Sequence, residues 1–141
     1  MHVRVIGVPM DLGADRRGVD IGTSAIRYAG LNDQLHHLNY EVHDAGNIAV
    51  PQPESQPIGA TRLKYLEPIL KVSEELADAV TSALIAKEFP LILGGDQSIA
   101  LGSITGVTRV YKDIGVVWID AHADFNTLES KSCKQEGTRC V

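Results

Sequence analysis

Gly115-Val-Val-Trp-Ile-Asp120-Ala-His122-Ala-Asp124 is an apolar run that ends in three strong metal ligands at alternating positions. Four consecutive apolar residues with no polar alternation read as a strand covered on both faces, which is the pattern of a parallel sheet. A strand alternates its faces, so Asp120, His122 and Asp124 leave the ribbon on the same side. Same-face neighbours on an ideal strand lie about 6.5–7 Å apart. Three side chains therefore close on one ion only if the chain curls as it leaves the sheet, and the small Ala121 and Ala123 permit that curl. Two carboxylates and an imidazole suit a hard or borderline divalent cation such as manganese. The plainer alternative is a loop capped by its aspartates beside a solvated histidine.

Outward from this stretch, apolar runs alternate with helical patterns. Val3–Val8 and Tyr40–Ala45 read as strands, followed by a third at Phe89–Leu93 and a fourth at Val116–Ile119. Thr23 or Ser24 can cap a helix running through Tyr28 and Ala29, with another over Leu31–Leu38. Pro68 suits the first residue of a helix whose apolar stripe is Ile69, Val72, Leu76, Val80 and Leu84. A further helix spans Ser98 to Tyr111. Pro51, Pro53 and Pro57 mark an irregular loop. The expectation is an α/β protein with a parallel sheet and helices on both faces. In such sheets ligands bind beyond the carboxyl ends of the strands. That rim would gather the Asp15-Arg-Arg-Gly loop, the turn Gly94-Gly95-Asp96-Gln97-Ser98 and the Asp120–Asp124 cluster.

The 141 residues carry a net charge of −5, 44% hydrophobic and 22% charged residues, as in a globular domain with a real core. The acidic balance, with no basic cluster, argues against nucleic acid as a partner. Neither a signal-peptide h-region nor an apolar run of membrane-spanning length is present, so no membrane role and a cytoplasmic location are expected. Cys133 and Cys140 are then expected as reduced thiols. The 94–98 turn lacks Walker spacing and a lysine, so a tight strand-to-helix turn capped by Asp96 or Ser98 is preferred over a phosphate cradle. His36 and His37 fall on an exposed helix and His43 in or beside a strand, none with a partner ligand at useful spacing. Arg16 and Arg17 suit a salt bridge on the rim, a subunit contact or plain solvation.

Taken together the two rim motifs resemble the arginase and agmatinase family, the manganese ureohydrolases, whose pattern is Gly-Gly-Asp-His-Ser followed downstream by Asp-Ala-His-Ala-Asp. The second motif is intact here, and Phe125-Asn126-Thr127 after it is similar to the arginase branch. The N-terminal strand, the Asp15-Arg-Arg-Gly-Val-Asp20 loop and Ser24-Ala-Ile-Arg-Tyr28 also resemble bacterial arginases. The resemblance covers residues 1–129 and implies an arginase-like three-layer α/β/α fold, incomplete in this chain. It implies two Mn²⁺ ions about 3.5–4 Å apart that share a hydroxide. That hydroxide attacks the guanidinium carbon of L-arginine to give ornithine and urea. By the same resemblance Asp120 would bridge the ions, Asp124 would serve one and His122 the other, and Asn126 would hold the α-carboxylate end of the substrate. A homo-oligomer, trimer or hexamer, is also implied.

Position 97 departs from the pattern, with Gln97 where the family has a histidine ligand to the ion shared by Asp120 and Asp124. An amide oxygen binds a hard cation more weakly than a fixed imidazole, so one manganese or none is expected here. Composition changes after Glu129. Ser130–Val141 has no histidine and no apolar periodicity, and reads as a non-family tail, out of frame or otherwise not the native continuation. The family's further carboxylate ligands and its proton-shuttle histidine are absent, and the 141-residue form is expected to be inactive. Alternatives are a catalytically dead partner or regulatory subunit of a ureohydrolase, and an agmatinase-type hydrolase. In the family's larger sheet, strands made later insert between the third and fourth strands present here. Exposed apolar edges, with poor solubility or a loosened core, are therefore expected.

Overall fold

The computed structural model describes residues 1–14, 16–61 and 63–121. Strand β1 (His2–Val8) is central, with β2 (Glu41–Asn47) on one side and β5 (Phe89–Gly94) on the other. Both pairings are parallel. Val3 lies opposite Val42 and Phe89, and Val8 opposite Gly94. The expected parallel sheet is present, and its three strands are the first three read from the sequence.

β1 is buried on both faces, and its alternation divides the core in two. Val3 and Val5 point one way, with Leu93, and pack against Leu31 and Leu35 of α2 (Leu31–His37). Ile6 and Val8 point the other way, against Val72, Leu76 and Val80 of α3 (Leu66–Ile85). The five-residue stripe read on this helix is the face that packs, with Ile69 and Leu84 partly buried at its ends. Helix α1 (Gly22–Tyr28) lies beside α2, and α4 (Ile99–Val110) packs on α3. Gly102 and Gly106 make that seam close. A Cβ at Gly102 would stand 2.5 Å from the Ser73 carbonyl oxygen, and one at Gly106 2.7 Å from that of Ala77. Helices on both faces of the sheet give the three-layer arrangement.

Several details differ from the sequence reading. Pro68 is the third residue of α3 and not the first. The first turn's N–H groups have no intrahelical partners, so proline is tolerated throughout it. Neither Thr23 nor Ser24 caps α1, whose N-cap position is Ile21. Thr23 Oγ1 instead donates to the Asp20 carbonyl at 3.3 Å. The proline-rich loop contains a 3-10 turn at Pro53–Ser55. A two-rung hairpin follows it, β3 (Gly59–Ala60) with β4 (Leu63–Lys64), which was not expected.

The largest difference is at Val116–Ile119. These residues form no strand and stand in solvent, with Val117 85% and Ile119 93% exposed. A strand exists only by pairing, and among the described residues the outer edge of β5 has no neighbour. β-Branched and aromatic residues favour a pleated, half-buried surface, and this segment has none to join.

Candidate functional site at the carboxyl ends of the sheet

Both loops that the structure describes at the carboxyl ends of β1 and β5 are joined by backbone. Gly95 N–H donates to the Val8 carbonyl at 3.2 Å, and Asp96 N–H to the Met10 carbonyl at 2.8 Å. Met10 and Leu12, both fully buried, anchor the loop after β1 in the core beside Leu76. Asp96 then fastens the two together. Its Oδ2 accepts the Gly13 N–H at 2.7 Å, and its Oδ1 accepts both the N–H at 3.0 Å and the hydroxyl of Ser98. The 94–98 segment is therefore the tight turn expected, with Ser98 at the N-cap position of α4, no side-chain cap there, and Asp96 closing the turn onto Ser98. The same carboxylate also reaches across to the neighbouring loop, which the sequence reading did not anticipate.

A second carboxylate lies beneath this rim. Asp11, its side chain 2% exposed, pairs with the Arg17 guanidinium. Arg17 continues to Gln52 Oε1 at 2.6 Å and Glu54 Oε1 at 3.2 Å, tying the rim loop to the proline-rich segment. Of the roles considered for Arg17, the rim salt bridge is the one formed. Burial pushes the Asp11 carboxyl above its ordinary range, opposed by Arg17 and reinforced by Asp20 and Asp96.

Arg27 makes a third tie at the same end of the sheet. Its Nε and Nη2 donate to the two Asp44 oxygens at 2.7 Å each, and its Nη1 to Asn47 Oδ1 at 2.7 Å. The fork holds the Asp44 carboxyl below its ordinary range.

Of the ligands read from the sequence, Gln97 and Asp120 lie within the described residues, and the structure brings them together. Gln97 Nε2 donates to Asp120 Oδ2 on the exposed rim. His122, Asp124 and Asn126 lie outside the described residues, as does the tail 130–141. Among the described residues no three His, Cys, Asp or Glu side chains gather as a cation cage. The donor chemistry of Asp120, His122 and Asp124 suits manganese. Position 97 does not fit as arranged. A carboxylate only accepts, so the end of the amide that meets Asp120 is the N–H₂ end, and the ligating oxygen is turned from it.

An open parallel sheet, covered by helices and carrying polar loops at its carboxyl ends, defines the three-layer α/β class. Within that class the chain belongs to the arginase family, whose model matches residues 1–140. It is 48% identical over 126 residues to the arginase of Brevibacillus brevis, a match covering 89% of this chain and 42% of that protein. To the arginase of Bacillus caldovelox it is 46% identical over 129 residues, 91% of this chain and 43% of that one. The native structure of the Bacillus caldovelox enzyme superposes with a TM-score of 0.83 at 47% identity, covering 89% of this chain and 42% of that chain. The chain thus spans less than half the length of the relatives it matches. Among the described residues, no helix is long and apolar enough to cross a membrane.

Proposed function

We propose that this chain is part of a cytoplasmic, manganese-dependent hydrolase that acts on the guanidinium group of L-arginine and releases ornithine and urea. The observation that carries the reading is the pairing of two motifs on an arginase-family fold. The Gly94–Ser98 turn stands against Asp120, the first residue of an intact Asp-Ala-His-Ala-Asp run. Asp120, His122 and Asp124 would hold manganese, and the chemistry it supplies there is activation of a water for attack on the guanidinium carbon. Asn126 would hold the α-carboxylate end of the substrate and so favour arginine over agmatine. The ties of Asp96 and Asp11 hold the loops of this rim in place. Assembly as a homotrimer or hexamer belongs to the same proposal.

With Gln97 in place of a histidine ligand, the 141-residue chain releases no urea by itself. The test is a chimera in which residues 1–129 of this chain, carrying Gln97→His, replace the corresponding part of the Brevibacillus arginase. Manganese-dependent urea release from L-arginine, and little from agmatine, is the expected result. A folded, oligomeric chimera that hydrolyses neither substrate would overturn the reading. Gln97 also favours a second one, a non-catalytic partner of a complete ureohydrolase. That reading requires the unmodified chain to co-purify with a full-length enzyme.

A further inference from the structure

We propose that in this protein Gln97 takes the place of a cation, closing the gap between the turn after β5 and Asp120 with its side-chain amide. The inference rests on the proposed function, in that it concerns the rim corner where position 97 and Asp120 would share an ion. The side-chain amide donates to Asp120 Oδ2 directly, so that oxygen, on the side of Asp120 that meets position 97, already holds a proton donor. For an ion to enter, that hydrogen bond must break and the amide must turn over to present its oxygen. The backbone cannot help by moving aside. Asp96 is held through its N–H to the Met10 carbonyl, and its carboxylate holds the N–H groups of Gly13 and Ser98, so both neighbours of Gln97 are pinned. Only the side chain is free to rotate.

The exchange also differs in charge. A divalent ion neutralises the carboxylates around it, whereas an amide proton satisfies one oxygen and leaves the rim acidic. An imidazole at the same position would be a strong ligand held by its ring geometry, and a glutamate could not donate to Asp120 at all. Those two substitutions therefore separate a hydrogen-bonded corner from a metal-binding one.

The experiment is equilibrium dialysis of the purified 141-residue chain against manganese, with electron paramagnetic resonance on the loaded samples. Wild type is compared with Gln97→His and Gln97→Glu. The expected result is that both variants bind manganese at least about tenfold more tightly than wild type, or take up one more ion per chain. Equal stoichiometry with equal affinity in wild type and Gln97→His would overturn the proposal. A measurement without metal guards against variants that fail to fold. In wild type the Gln97 side-chain N–H₂ resonances are expected away from the position of a solvated glutamine, and Asp120→Ala is expected to return them to it. Resonances already at the solvated position in wild type would overturn the proposal equally. Urea release is read apart from both. A Gln97→His chimera that gains an ion yet leaves arginine intact would refute the proposed reaction while supporting this role of Gln97.

Discussion

A methyl group at Gly95 would strike the backbone of the neighbouring loop. A Cβ built there lies 1.8 Å from the Met10 carbonyl oxygen, 2.8 Å from its carbon and 2.9 Å from its nitrogen. None of these atoms belongs to a side chain that could swing away, and Met10 itself is fully buried. Gly95→Ala therefore leaves two routes. If the turn withdraws, it gives up Gly95 N–H to Val8, Asp96 N–H to Met10 and Gly13 N–H to Asp96. At about 1 kcal/mol net for each hydrogen bond, withdrawal costs about 3 kcal/mol. If the turn stays, overpacking strain reaches a similar figure, up to about 3 kcal/mol. Both routes predict a loss of about 3 kcal/mol, a large share of the roughly 5–15 kcal/mol that holds a domain folded. In urea denaturation followed by circular dichroism this is a midpoint lowered by about 1.5 M, taking a slope of about 2 kcal/mol/M. Gly115→Ala is the control, since nothing lies within 4 Å of a Cβ at that position. It should fall within about 0.5 kcal/mol of wild type. A Gly95→Ala protein within about 1 kcal/mol of wild type would refute the close approach of the two loops.

Leu76→Ala, at a fully buried position between α3 and β1, is expected to lower stability by about 3 kcal/mol in the same assay. Asp44→Asn should cost about 1–2 kcal/mol at pH 7 by weakening the Arg27 fork. Because the folded Asp44 carboxyl is held below its ordinary value of 3.8, its contribution is full above that value and fades as pH falls through the depressed one. The stability difference between variant and wild type should therefore shrink as pH falls below 3.8, and a difference that stays constant through that fall would contradict this. Asp11 has the opposite sign. Its carboxyl is raised in the folded state, so its contribution to stability declines as pH climbs above 3.8, and Asp11→Asn should remove that decline from the pH–stability curve. Replacing Val117 and Ile119 together by lysine should leave the urea midpoint unchanged and reduce self-association in light scattering, because both side chains already stand in solvent.

How much of this could be read beforehand depended on range. The three paired strands and the packing face of α3 were legible because apolar spacing is a local signal that burial then uses unchanged. Val116–Ile119 carries the same signal and forms no strand, because a strand needs a neighbour and propensity cannot supply one. The β3–β4 hairpin escaped notice for the opposite reason, since rungs as short as Gly59–Ala60 and Leu63–Lys64 offer no alternation beside a cluster of prolines. At the rim, Asp96 was legible as a residue of its own tight turn. Its bond to Gly13 was not, since nothing local to position 96 marks the loop after β1 as its neighbour. The closeness of position 97 to Asp120 followed from the paired motifs, and the direct bond between their side chains came from the fold.

The tie between Gly13 and Asp96 joins residues 83 positions apart in the chain. β1 meets β5 across a similar span, and parallel strands of such separation are closed only after the loop entropy between them has been met. The rim is therefore a product of late, long-range folding. A nascent chain that has made α1, α2 and most of α3 still has no site, and conditions that slow the closure of β1 onto β5 should delay the rim by the same factor. In this protein the speed of sheet closure sets when the rim is assembled.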